Sequence, residues 1–129
     1  MKFLHTMLRV SDLNDSVRFY TEVLGLQEIR RNEFQDRKYT LVFLGYGAEE
    51  KDILLELTYN WGKDDKYNVG DGFGHIAFGV SNLSVICQQA KQYGGTVTRE
   101  PGVLKTSAGK NVAFITDPDN YSLELIEWM

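Results

Sequence analysis

The sequence predicts an α+β fold made of two tandem modules, each with a strand, a helix and a run of further strands. Three observations carry this. Shifted by 70 residues, the chain falls on itself: His5 on His75, Val10 on Val80, Ser11 on Ser81, Asp12 on Asn82, Leu13 on Leu83 and Gly25 on Gly95. Each half then holds one apolar stripe at helical spacing. Behind that stripe, each half holds apolar runs of strand length.

The elements follow in order. "LHTMLRV" and "GFGHIAFGV" each open a half with a short apolar strand led by histidine. Ser11-Asp12 and Ser81-Asn82 supply side-chain acceptors for the first orphan N–H groups of a helix. Leu13, Val17, Tyr20 and Leu24 recur at helical spacing in the first half. In the second, Leu83, Cys87, Ala90 and Gly94 take the same offsets, with Ile86 and Tyr93 beside them. Gly25 and the pair Gly94-Gly95 end the helices, because glycine enters the left-handed conformation without a Cβ clash. Strands are expected at "YTLVFLGYG" (39–47), "ILLELTYN" (53–60), "NVAFITDP" (111–118) and "YSLELIEW" (121–128). "DPDN" joins the last two as a tight turn with Pro118 at its second position. "QEIRR" and "GTVTRE" offer one further short strand per half. The stretch "WGKDDKYNVGDG" (61–72) reads as the link between modules of about 1–65 and 71–129 within one domain.

A chain of 129 residues buries enough surface to hold a core without staples. Its net charge of −4 argues against nucleic-acid and anionic-membrane partners. "RRNEFQDRK" (30–38) mixes acids with its basic residues and reads as a solvated loop. Cys87, the single cysteine, lies on an apolar helical stripe and reads as a buried small hydrophobe. One cysteine forms no internal disulfide, which fits a reducing compartment. Neither a signal peptide nor an 18-residue apolar run is present, so the expectation is cytoplasmic.

The repeat extends to acids. Glu56 and Glu124 sit inside apolar strands, where an unpaired carboxylate is costly. His5 precedes Glu56 by 51 residues and His75 precedes Glu124 by 49. Taken singly, each of the four is more simply a satisfied core or surface residue, as Glu127 is expected to be on a solvated face. Their matched placement points instead to a divalent metal held by two imidazoles and two carboxylates, with room for water in its shell. Strand parity puts Arg9 on the His5 face and Asn60 on the Glu56 face, where they could grip an anionic, amide-bearing substrate.

"LHTMLRVSDLNDSVRFYTEVLGL", "LELTYNWG", "GFGHIAFGV" and "DPDNYSLELIE" together resemble the glyoxalase I (lactoylglutathione lyase) family of the vicinal oxygen chelate superfamily. The resemblance covers nearly the whole chain. It implies two βαβββ modules forming a cupped mixed sheet, and a homodimer with its sites between subunits. It implies His5, Glu56, His75 and Glu124 as metal ligands, with Glu124 as the base and Glu56 assisting. It implies Arg9, Asn60, His75, Lys105 and Thr106 as substrate contacts, with Arg9, Asn60 and Lys105 meeting glutathione. The implied reaction turns the hemithioacetal of methylglyoxal and glutathione into S-lactoylglutathione, a detoxification. The short form resembles the nickel- or cobalt-activated bacterial type, with zinc the alternative. The segment "GVLKTSAGKNVAF" (102–114) departs from the family by lacking a Gly-Thr-Thr stretch and being slightly longer, which leaves Lys110 as the alternative to Lys105. Trp128 and Phe73 either line the aldehyde pocket or simply pack. Other members of the superfamily are the competing readings: an epimerase, an extradiol dioxygenase, or a drug-binding resistance protein without metal. A fourth ligand at Glu56 disfavours the dioxygenase, whose oxygen chemistry needs open positions.

Overall fold

The computed structural model describes residues 1–63 and 65–128; Asp64 of the predicted linker and Met129 at the predicted end of the second module lie outside the described residues. The chain divides into two compact units, Met1–Tyr67 and Asn68–Met129.

In the first unit β1 (His5–Val10) leads into α1 (Leu13–Glu22), followed by β2 (Gln27–Phe34), β3 (Tyr39–Gly45) and β4 (Leu54–Asn60). The sheet order is β1-β4-β3-β2. β4 lies antiparallel to β3 and parallel to β1, so the last strand of the unit lies beside the first. The second unit repeats this with β5 (Ile76–Val80), α2 (Leu83–Gln92), β6 (Thr96–Val103), β7 (Asn111–Thr116) and β8 (Ser122–Glu127), in the order β5-β8-β7-β6. Each unit is thus a βαβββ module on a four-stranded mixed sheet, as the resemblance implied.

Local chemistry accounts for the elements. Asp12 caps α1 by accepting from the Asp15 N–H at 3.0 Å, and Asn82 caps α2 by accepting from Val85 at 3.3 Å. Gly25 (φ +71°) and Gly94 (φ +95°) take the left-handed turn that ends each helix. The α2 stripe of Leu83, Cys87 and Ala90 is buried as expected. Of the α1 stripe, Tyr20 and Leu24 are buried and Leu13 and Val17 half-buried, with Ser16 and Phe19 buried beside them. Phe19 and Tyr20 are adjacent and both fully buried.

One expectation is overturned. Residues 30–34 of the supposed solvated loop are strand, paired with β3 from Arg30↔Phe43 to Phe34↔Tyr39. β2 ends its sheet, so most of its side chains are exposed and its polar composition is compatible with a ladder. β6 is the matching edge strand and carries Pro101, a residue that edge strands tolerate. None of the described helices is long and apolar enough to cross a membrane.

Candidate active site

Alternation along β1 sends Leu8 and Val10 into the core and His5, Met7 and Arg9 to the other face. The register Met7↔Glu56 and Arg9↔Thr58 brings Glu56, Thr58 and Asn60 of β4 to that same face. His5 Nε2 lies 3.1 Å from Glu56 Oε1. The second unit repeats the arrangement. His75 stands one residue before β5, Ala77 pairs with Glu124, and His75 Nε2 lies 2.6 Å from Glu124 Oε2.

Each pair rests against an aromatic ring that the sequence reading missed. His5 meets Phe43 edge-on with ring centres 5.5 Å apart, and His75 meets Phe114 at the same distance. Phe43 pairs across the ladder with Glu56, and Phe114 with Glu124. The signal was present, since a shift of 71 residues places "VFL" (42–44) on "AFI" (113–115).

The donor sets suit a divalent cation. Two ligand atoms about 2.1 Å from one ion and at right angles lie about 3 Å apart. The observed separations of 3.1 and 2.6 Å bracket that value. The same separations serve an Nε2–H···O hydrogen bond when no ion is bound. Among the described residues, such ligands come in twos; no group of three or more His, Cys, Asp or Glu side chains gathers.

The surroundings of the two pairs differ. Thr58 Oγ1 donates to Glu56 Oε2 at 2.8 Å, and Glu56 is buried. Arg30 lies over the Phe43 ring at 3.7 Å and forms two hydrogen bonds to Glu49, both of 2.9 Å. That guanidinium holds the exposed Glu49 carboxyl below its ordinary range. Asn60 Nδ2 donates to the Tyr67 hydroxyl at 3.0 Å, and Arg9 is exposed.

In the second unit, Ile126 and Trp128 take the places of Thr58 and Asn60, and Gly79 that of Arg9. A Cβ on Gly79 would lie 2.9 Å from both Cβ and Cγ of Trp128, so the indole occupies the space a side chain would need. A cavity of about 380 Å³ opens there, lined by Gly79, Thr106, Lys110, Glu124, Ile126 and Trp128 among others. Lys110 Nζ sits 4.9 Å from the centre of the Trp128 ring. Lys105 is exposed and does not line the cavity, whereas Thr106 does. Trp128 lines this cavity. Phe73 instead packs against Tyr121, ring centres 5.4 Å apart. Glu127 is exposed, as expected, and accepts from Asn111.

The chain and its fold match a known family. Residues 2–125 match the model of the Glyoxalase/Bleomycin resistance protein/Dioxygenase superfamily, and the chain belongs to it. Within that class, its relatives are lactoylglutathione lyases. The Escherichia coli O157:H7 lactoylglutathione lyase is 50% identical over 127 residues, covering 98% of this chain and 93% of that protein. A probable lactoylglutathione lyase of Vibrio parahaemolyticus is 51% identical over 98% of this chain and 90% of its own length. Among solved structures, maize glyoxalase I matches with a TM-score of 0.88 at 42% identity, over 98% of this chain and 44% of the maize chain. The trypanothione-dependent glyoxalase I of Leishmania major matches at 0.85 and 40% identity, over 98% of this chain and 86% of that one.

Proposed function

We propose that this chain is a metal-dependent isomerase that converts the hemithioacetal of methylglyoxal and glutathione into S-lactoylglutathione, as a cytoplasmic detoxifying enzyme. The observation that carries this is the repeated pair, His5–Glu56 at 3.1 Å and His75–Glu124 at 2.6 Å, in a chain half identical to lactoylglutathione lyases. One pair of each kind would hold one divalent ion, with Ni²⁺ favoured over Co²⁺ and Zn²⁺. In the proposed homodimer each subunit gives one half of a ligand set, so the sites lie at the subunit interface.

A divalent ion held by these residues would supply Lewis acidity where negative charge develops on the substrate. The chain's own residues do the rest. Glu124 lines the cavity and removes the proton from the carbon bearing hydroxyl and sulfur. It returns a proton to the neighbouring carbon, which completes the isomerisation without a redox partner. Glu56 assists from the other face. Arg9 and Asn60 orient the glutathione moiety, with His75 and Thr106 beside it. Lys110, at the cavity edge against Trp128, meets a glutathione carboxylate in place of Lys105. The apolar wall of Ile126 and Trp128 takes the group carried by the aldehyde.

The test is removal and return of metal. Chelated protein should form no thioester from methylglyoxal and glutathione, and Ni²⁺ or Co²⁺ should restore the rise in thioester absorbance. Protein that binds metal yet forms no thioester with Ni²⁺, Co²⁺, Mn²⁺ or Zn²⁺ would overturn the assignment.

A further inference from the structure

The two carboxylates are related by the repeat but are not held alike. Glu56 has both oxygens engaged: Oε1 lies 3.1 Å from His5 Nε2, and Oε2 accepts from Thr58 Oγ1 at 2.8 Å. Thr58 is two residues along the same strand, buried, and β-branched, so its hydroxyl has few directions to take. Two residues beyond Glu124 stands Ile126, which has no donor. Among the described residues, Glu124 is paired only with His75, and its side chain is more exposed than that of Glu56, 19% against 11%.

We infer that Thr58 is a positioning residue that locks Glu56 in its ligand conformation and leaves Glu124 as the carboxylate free to swing toward substrate. The inference rests on the metal-dependent reading above. An outer hydrogen bond to a ligating carboxylate fixes its orientation, and its loss typically weakens metal binding by about 10–100-fold. With Thr58 on one side and Ile126 on the other, the chain assigns one to stay and one to move.

The experiment compares wild type with Thr58→Val, Thr58→Ser and Ile126→Thr. Affinity for Ni²⁺ is read by competition with a chromophoric chelator on metal-stripped protein, alongside kcat and KM. Thr58→Val is expected to weaken Ni²⁺ binding by about 10–100-fold and to lower kcat with KM little changed. Thr58→Ser, which keeps the hydroxyl, should restore both. Ile126→Thr places a donor beside Glu124 and should lower kcat about tenfold without weakening Ni²⁺. A Thr58→Val protein with wild-type Ni²⁺ affinity and kcat overturns the inference, as does an Ile126→Thr protein with wild-type kcat. Wild-type protein that takes up no Ni²⁺ overturns the metal-dependent reading itself, a separate result.

Discussion

The imidazole of His5 stands edge-on to Phe43, ring centres 5.5 Å apart and planes at 82°, and His75 holds the same distance and angle to Phe114. Each phenylalanine also lies directly across the ladder from the glutamate that its histidine faces. The ring therefore orients the imidazole and walls the carboxylate at once. An edge-to-face aromatic contact contributes about 0.5–1.5 kcal/mol beyond area burial.

Phe43→Leu and Phe114→Leu should each weaken Ni²⁺ binding by about two- to tenfold, the size of that contact. Chelator competition measures it. Melting of the metal-free variants measures the packing lost when the ring is replaced by a smaller side chain, and so separates it from the orienting effect.

Glu124→Gln should keep the fold and lower kcat by about 10²–10⁴, the span expected for loss of a general base. Single-turnover mixing of preloaded protein with hemithioacetal reads the chemical step directly. A near-wild-type rate in that step would move the base to Glu56.

Lys110→Ala should raise KM for the glutathione adduct about tenfold with kcat little changed, as a hydrogen bond to a charged group is removed. Lys105→Ala should change KM less than about twofold. Steady-state kinetics at low and high salt check the electrostatic origin, since the Lys110 effect should shrink as salt is added.

Burial pushes the Cys87 thiol above its ordinary value of 9.0, so the folded chain disfavours the reactive thiolate. Alkylation by iodoacetamide at pH 8 should be slow in the native protein and fast in denaturant. The folded state holds this proton more tightly than the unfolded state does. Its contribution to stability is therefore complete below the unfolded value and is lost as pH rises through the folded one. Thermal melts from pH 7 to 10 should fall more steeply for wild type than for Cys87→Ala.

Much of this was legible in the residues. The 70-residue shift marked both modules, because duplicated strands and caps keep their chemistry. It also marked His5 and His75, and a shift of 68 sets Glu56 on Glu124; the fold joins the four into two pairs. β2 was half hidden, because an edge strand needs no apolar alternation and its charges read as loop. Phe43 and Phe114 were hidden for the opposite reason. An aromatic in an apolar strand reads as core, and only the ladder register reveals which face it takes. Lys110 depended on the turn at 104–110, where Ser107 Oγ contacts backbone oxygens of both Leu104 and Lys110 at 2.8 Å. Ala108 there takes φ +52°, which no pattern of residue types announces.

The substitution of Gly79 and Trp128 for Arg9 and Asn60 makes the two modules non-interchangeable. Trp128 needs the bare backbone of Gly79, so neither position could have diverged alone without a clash or a void. A chain built from two copies of the first module would keep both histidine–glutamate pairs and gain a second polar grip. It would have no indole wall and no pocket beside its second carboxylate. The two halves thus share their histidine–glutamate pairs and differ in what stands beside them, a polar arginine and asparagine in one and an indole over bare backbone in the other.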